Sequence, residues 1–221
     1  LDPSNIYVVS NYNLIPDEDL SDQNQTQNKD DKFTLVYAGG VDETRDLKTL
    51  IESLSHLEGI KHNFKVVIVG ANLSSKAELE KLALRLGVHD YLEIFTWVSR
   101  EKAESIMDEA TVGLVPHRKS EHTDTTIPHK IFQYMYRGLP VIVSNCAPLE
   151  RVVNESGCGL VYNSEDSVSL ARCIERLYEK SDLISQMGFC GKQSCVEKYN
   201  WKESEKVLFA LYENLKSKCA E

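Results

Sequence analysis

The chain has 221 residues, of which 42% are hydrophobic, 27% charged and 8% aromatic, proportions typical of one ordinary globular domain or two small ones rather than of a disordered or fibrous chain. Its 34 acidic and 25 basic residues give a formal net charge of -9, which argues against nucleic acid as a partner because binding to a phosphate backbone needs clustered cations. No window approaches about eighteen apolar residues and the N-terminus lacks a signal-peptide profile, so we predict no transmembrane segment and expect a cytoplasmic location.

The N-terminal residues and the cysteines suggest the protein's context. The chain begins with Leu1 rather than Met, and residues 6–9 are strand-like, which predicts a piece of a longer polypeptide. Residues 20–32 are polar and almost free of hydrophobic side chains, which predicts a mobile loop. The cysteines show no CxxC spacing, so we expect them to be reduced. They are Cys146, Cys158, Cys173, Cys190, Cys195 and Cys219.

From Phe33 onward, short β-branched runs alternate with longer amphipathic stretches, which predicts a parallel sheet covered by helices on both faces. The predicted strands are 33–38, 65–70, 91–95, 112–116, 140–144 and 159–162. The predicted helices are 46–57, 75–86, 100–109, 128–136, 149–154, 167–179, 182–198 and 202–216. The runs VVIVG and PVIVS are apolar throughout, so we expect them in the middle of the sheet.

The loop after the first predicted strand is a candidate anion site, because ligands of open α/β sheets bind beyond the carboxyl ends of the strands. It carries Gly39 and Gly40 and, just before the next helix, Arg45. Glycines let backbone N–H groups approach a phosphate, and an arginine can bond two phosphate oxygens. Alternatively, the loop is a plain turn in which Arg45 pairs with Glu43 or Asp42. The GxGxxG fingerprint is absent, which argues against a nicotinamide-dependent oxidoreductase.

The loop after the fourth predicted strand concentrates cations in an otherwise acidic chain, which also indicates an anion site. These cationic and histidine residues are His117, Arg118, Lys119, His122, His129 and Lys130. We expect Thr125 or Thr126 to cap the helix that Pro128 helps to start. On that helix His129, Lys130 and Gln133 are three or four residues apart and can border one face.

Two other interpretations of this second loop are open. It could be a solvated polar loop with a surface lysine. A zinc site made by His117, His122, His129 and Asp124 is disfavoured because the spacings match no standard ligand set. We therefore predict no metal site.

From about Ile6 to Leu215 the chain resembles the C-terminal, nucleotide-sugar-binding half of group 1 glycosyltransferases of the GT-B architecture. The resemblance is carried by YAGGVDETRDLKTLIESL, TIPHKIFQYMYRGLPVIVSNCAPLERVV and YNWKESEKVLFALYENL. It implies a Rossmann-like open parallel sheet with closing C-terminal helices. The implied organisation is an inter-domain linker and mobile loop at 1–32, a nucleotide-sugar-binding domain at 33–200 and a crossover helix at 201–221.

The resemblance also implies roles for individual residues. Arg45 and Lys130 would be the catalytic residues, since they would stabilise the leaving diphosphate. The residues implied to bind the donor are Gly39, Gly40, Arg45, Trp97, Val98, Thr125, His129, Lys130 and Gln133. Among them, Trp97 and Val98 would edge the base and Gln133 would face the ribose. The family usually has two glutamates where this chain has Thr125 and Gln133, which indicates altered recognition of the donor.

The implied reaction is transfer of a sugar from a nucleotide-diphosphate sugar, with uridine as the expected base, to an acceptor hydroxyl, without cofactor or metal. The implied partner is an N-terminal acceptor-binding domain of the same parent chain, so the segment alone is expected to be inactive. One alternative is a non-catalytic nucleotide-binding module, which the missing glutamates favour. Another is a sugar-nucleotide epimerase of similar shape, which would need acid and base carboxylates that these loops do not supply. The residues predict neither the acceptor nor the oligomeric state.

Overall fold

The computed structural model describes residues 6–15, 32–57, 60 and 63–219, so almost all of the predicted mobile loop at 20–32 lies outside the described residues. The described residues form one sheet of six parallel strands in the order β3-β2-β1-β4-β5-β6. The strands are β1 (Phe33–Ala38), β2 (Phe64–Val69), β3 (Leu92–Phe95), β4 (Val112–Val115), β5 (Val141–Ser144) and β6 (Gly159–Tyr162). The predicted Rossmann-like α/β fold is confirmed.

Eight α-helices are formed by the described residues, and five of them begin within one residue of the predicted position. They are α1 (Leu47–Leu54), α2 (Leu73–Leu86), α3 (Arg100–Asp108), α4 (Lys130–Tyr136), α5 (Ala147–Ser156), α6 (Ser167–Glu179), α7 (Ser181–Glu197) and α8 (Trp201–Cys219). Side chains of Asp46, Asn72 and Ser99 cap α1, α2 and α3 by accepting the N–H three residues on. These caps fix the residues at which α1, α2 and α3 begin.

Two apolar clusters cover the two faces of the sheet. One contains residues of α3, α4, α5 and α7, and the other contains residues of α1, α2 and α6. Along β1, Leu35 and Tyr37 belong to the second cluster, whereas Val36 between them belongs to the first. Successive side chains of a strand point to opposite faces, so a strand covered on both sides is apolar throughout.

Three local predictions are corrected. The apolar runs of β2 and β5 were expected in the middle of the sheet, but the middle strands are β1 and β4, and β2 and β5 flank them. Helices cover the flanking strands on both faces as well, so an apolar run does not distinguish the two positions. Residues 6–9 form no strand and are exposed, with Val8 75% accessible. Helix α5 begins at Ala147, two residues earlier than predicted, with Pro148 in its first turn, where a missing N–H costs nothing.

The N-terminal described segment, residues 6–15, packs against the helical end of the chain. Tyr12 lies edge-on to Phe132 and Tyr199, with ring centroids 4.9 Å and 5.6 Å apart, and Ile15 is buried in the same cluster. The Asn13 carbonyl accepts the N–H of Trp201 at 2.9 Å. These contacts join the segment to α4 and to the junction of α7 and α8.

Across the described helices, none combines the length and the apolar character needed to cross a membrane.

Candidate functional site

The two predicted anion-binding loops lie side by side at the carboxyl end of the sheet. They follow the neighbouring strands β1 and β4, which connect to helices on opposite faces of the sheet, and ligands of open α/β sheets bind at such a position. Arg45 forms an isolated antiparallel bridge with His117. The Asp46 N–H donates to the Pro116 carbonyl at 2.6 Å, and the Arg118 N–H donates to the Thr44 carbonyl at 2.9 Å. Backbone hydrogen bonds therefore hold the two loops together.

Lys130, the first residue of α4, reaches across to the glycine loop. Its Nζ lies 3.8 Å from the centroid of the Tyr37 ring. Gly39 has φ +142°, and a Cβ built there would stand 2.7 Å from the same Nζ. Any side chain at Gly39 would be strained because of this backbone angle, and it would also push the end of the Lys130 side chain aside.

The ammonium of Lys130 is poorly solvated and next to another cation. The pKa of Lys130 is lowered to about 7, mainly by burial and secondly by the Arg45 charge, while Asp42 opposes the change. Arg45 donates to the Thr44 hydroxyl at 2.8 Å. Asp42 instead accepts from the N–H and hydroxyl of Thr44. Within the described residues, ion pairs form at Arg118 and Arg137 but not at Arg45 or Lys130, so the alternative pairing of Arg45 with Asp42 or Glu43 is not seen.

His117 lies in the loop after β4, where it is bridged to Arg45. It is buried, and neither ring nitrogen has a hydrogen-bond partner among the described residues. The pKa of His117 is lowered to about 3, mainly by burial and secondly by the charges of Arg45 and Lys130. The imidazole therefore stays uncharged and adds no cation to the site at neutral pH.

The predicted cap of the α4 helix is wrong. The hydroxyls of Thr125 and Thr126 donate back to the His122 carbonyl at 2.9 and 3.0 Å, and neither residue is the N-cap of α4. The N-cap is His129, which has helical backbone angles and no side-chain cap bond, and the helix begins at Lys130 rather than Pro128. Local bonding to a preceding carbonyl competes with capping for threonine hydroxyls.

The residues predicted to share one face of α4 contact two different parts of the chain. Lys130 lies against the glycine loop, whereas a ring nitrogen of His129 contacts the Asn11 carbonyl of the N-terminal segment. Gln133 is half-buried, and its carbonyl accepts from Arg137 Nη1 at 3.2 Å. The structure thus brings Lys130 to Gly39 and directs His129 elsewhere.

The predicted base-side residues lie in the loop after β3. Trp97 is 72% exposed, and Val98 is half-buried against the apolar cluster that contains α3 and α4. This loop follows an edge strand, with β2 between it and β1. Trp97 is therefore an open aromatic surface at the same end of the sheet as Arg45 and Lys130.

Sequence reasoning missed two residues of the site, Tyr37 and Gly70. Gly70 follows β2 with φ +102°, and a Cβ there would lie 2.5 Å from the Gly39 carbonyl oxygen, so the two glycine turns are packed backbone to backbone. The Tyr37 hydroxyl donates to the Gly40 carbonyl at 2.5 Å. The available signals were a glycine directly after an apolar strand and a tyrosine directly before the glycine loop.

The described part of the chain holds no group of three His, Cys, Asp or Glu side chains arranged to bind a metal ion. Its cysteines Cys146, Cys158, Cys173, Cys190 and Cys195 are all free.

Comparison with known proteins gives a family match. The family model described as glycosyl transferases group 1 matches residues 19–194. No curated protein matches the chain.

Several solved structures share the fold. Sucrose-phosphate synthase from Thermosynechococcus elongatus has a TM-score of 0.72 at 20% identity, over 85% of this chain and 46% of that one. HepE from Anabaena, solved in complex with UDP, has a TM-score of 0.70 at 15% identity, over 92% of this chain and 54% of that one. The C-terminal domain of the group 1 glycosyl transferase LpcC from Francisella tularensis has a TM-score of 0.63 at 16% identity, over 76% of this chain and 86% of that one. The chain thus spans about half the length of the first two proteins.

Proposed function

Because this chain belongs to the group 1 glycosyl transferases, we propose that its two cationic loops hold the diphosphate of a nucleotide-diphosphate sugar, with uridine as the base. The observation that carries the proposal is the pair Arg45 and Lys130. Two loops distant in sequence bring these cations close enough to lower the pKa of Lys130, and no described carboxylate pairs with either. The UDP complex of the similar HepE supports uridine as the base.

The proposed chemistry is stabilisation of a leaving group. When the bond between the sugar and the diphosphate breaks, negative charge grows on the diphosphate oxygens. Arg45 and Lys130 are held in place before the reaction and would meet that charge without reorganisation. The proposal assigns this task to the two side chains and requires no metal ion or cofactor.

The acceptor is proposed to bind to another part of the parent protein. The chain covers only 46% and 54% of the first two structures compared, so the whole reaction is proposed for the parent protein and not for these residues alone. The proposed partner is an N-terminal acceptor-binding domain of the same polypeptide.

A non-catalytic nucleotide-binding module is the second candidate. Thr125 stands where the family usually has a glutamate, and its hydroxyl is bonded to backbone carbonyls of its own loop. Hydrolysis or transfer of a donor sugar by the parent protein would support the transferase, whereas UDP binding with neither reaction would support the binding module.

Titration calorimetry with UDP tests the site. We expect Arg45→Ala to weaken binding by about 1.5–3 kcal/mol, the scale of a hydrogen bond to a charged group. Arg85→Ala, which removes an exposed arginine from the last turn of α2, serves as the matched control and should bind like the wild type. Equal affinities of the wild type and Arg45→Ala would contradict the proposal, and tighter binding of ADP than of UDP would contradict the base.

A further inference from the structure

Tyr37 contacts the groups of both proposed anion-binding loops. It is fully buried near the end of β1, and its ring lies under the Lys130 ammonium at 3.8 Å from centroid to Nζ. Its hydroxyl donates to the Gly40 carbonyl at 2.5 Å. One buried side chain therefore connects the first residue of α4 with the glycine loop after β1.

We propose that Tyr37 is a positioning residue, whose ring holds the Lys130 ammonium above Gly39 and whose hydroxyl ties that ring to Gly40. The inference rests on the proposed diphosphate site and adds the residue that arranges its lysine before a ligand arrives.

The need for such a residue follows from the lysine side chain. Lysine carries a point charge on a flexible four-carbon stem, and immobilising it when a ligand binds costs conformational entropy. A carboxylate could hold the ammonium, but it would neutralise the charge and compete with the diphosphate. An aromatic face attracts the cation and leaves its charge available.

The electrostatics of Tyr37 agree with this role. Burial raises the pKa of Tyr37, so its phenol is neutral at physiological pH and attracts Lys130 through the ring face rather than as an ion pair. The Arg45 charge opposes this rise. Of the two proposed diphosphate-binding cations, Lys130 lies directly over the Tyr37 ring.

Side-chain NMR of ¹³C-lysine-labelled protein tests the position without any ligand. Protons held over an aromatic face resonate upfield, so the Lys130 ε-methylene should be displaced upfield in the wild type; Lys130→Arg assigns the signal. The displacement should persist in Tyr37→Phe, which keeps the ring, and disappear in Tyr37→Leu. An undisplaced signal in the wild type, or a displaced one in Tyr37→Leu, would overturn the proposal.

UDP affinity tests the consequence of that position. We expect Tyr37→Leu to weaken binding about tenfold and Tyr37→Phe to stay within about threefold of the wild type, since a cation–π contact is of that order. Tyr162→Leu is the matched control: Tyr162 is equally buried at the end of β6, and its hydroxyl has no partner among the described residues. It should bind UDP like the wild type.

The outcomes separate this inference from the proposed function. If Tyr37→Leu loses the displaced signal and still binds UDP like the wild type, the positioning role is wrong. It is also wrong if Tyr37→Phe keeps the displaced signal and nevertheless loses as much affinity as Tyr37→Leu. If Tyr37→Leu does not fold, the wild-type and Tyr37→Phe spectra still decide. If the wild type binds no UDP, the proposed function fails while the spectra still report whether Tyr37 holds Lys130.

Discussion

At the scale of single residues, the charge of Lys130 depends on pH in a range where few side chains titrate. Its pKa of about 7, against an ordinary value of 10.5, results mainly from burial and secondly from Arg45. Diphosphate favours the charged form, so binding above pH 7 requires uptake of a proton. The affinity of this site for an anion is therefore linked to pH.

We predict that UDP affinity falls between about pH 7.5 and 9.5, by at most about tenfold per pH unit, because the free protein loses the Lys130 proton there. Lys130→Arg keeps its charge and should show a much flatter profile by calorimetry. Parallel profiles for the two proteins would mean that another group controls the dependence.

The lowered pKa of Lys130 also makes the free energy of unfolding depend on pH. Between about pH 7 and 10 the unfolded lysine keeps a proton that the folded one has lost, so the Lys130 contribution to the free energy of unfolding rises with pH in this window. Chemical denaturation of the wild type and Lys130→Met at both ends of the window would measure it. A contribution that falls with rising pH would contradict the lowered pKa.

Gln133 is the second residue whose chemistry allows a prediction. An amide offers one neutral acceptor to ribose hydroxyls, whereas a carboxylate offers charge-assisted bonds. A carboxylate also repels the diphosphate, but the two nearby cations offset that repulsion. We therefore expect Gln133→Glu to tighten UDP binding by about 1 kcal/mol or less and Gln133→Ala to weaken it by a similar amount.

Inorganic diphosphate provides the control for Gln133, because it lacks ribose. Its affinity should be the same for the wild type and Gln133→Ala. An equal loss for inorganic diphosphate and UDP would show that the side chain does not contact ribose.

At the scale of elements, the position of α4 depends on its packing against α7. Gly188 of α7 faces the turn after α4, and a Cβ there would stand 2.1 Å from the Gly138 carbonyl oxygen. A backbone oxygen cannot turn away as the end of a flexible side chain can. The helix that carries Lys130 is therefore packed against α7 with no room for a methyl group.

We expect Gly188→Ala to lower the free energy of unfolding by about 1–3 kcal/mol, because overpacking outweighs the gain in helix propensity of about 1 kcal/mol. Ser185→Ala, at an exposed position of the same helix, should change it by less than about 0.5 kcal/mol. Denaturant unfolding measures both. Equal stability of the two variants would mean that α7 can move away from the turn.

At the scale of the whole molecule, we predict that the 221-residue chain binds UDP and shows no sugar transfer at any donor concentration. The nucleotide and the acceptor are proposed to bind different parts of the parent protein, and only the first is proposed for these residues. Product analysis with a labelled UDP-sugar checks the prediction. Measurable transfer by this chain alone would show that it contains an acceptor site.

Much of the fold was predictable because it depends on local patterns. Uninterrupted apolar runs such as those of β2 and β5 predict strands covered on both faces, and alternation with helices predicts parallel pairing. The order of strands was not determined by these patterns. Helices bury both faces of a middle strand and of the strand beside it, so the two sequences are equally apolar.

The candidate site, like the fold, was predictable only in part. The sequence by itself determined that Arg45 and Lys130 lie at the carboxyl end of the sheet, because each stands between a predicted strand and the body of the helix that follows it. Only the tertiary structure decided that the Lys130 ammonium lies over Tyr37 and Gly39, that His129 contacts Asn11 and that the threonine hydroxyls cap no helix. Residues far apart in sequence supply the partners of Lys130 and His129. The threonine hydroxyls have a nearby carbonyl as an alternative to a helix N–H, and the path of the loop decides between the two.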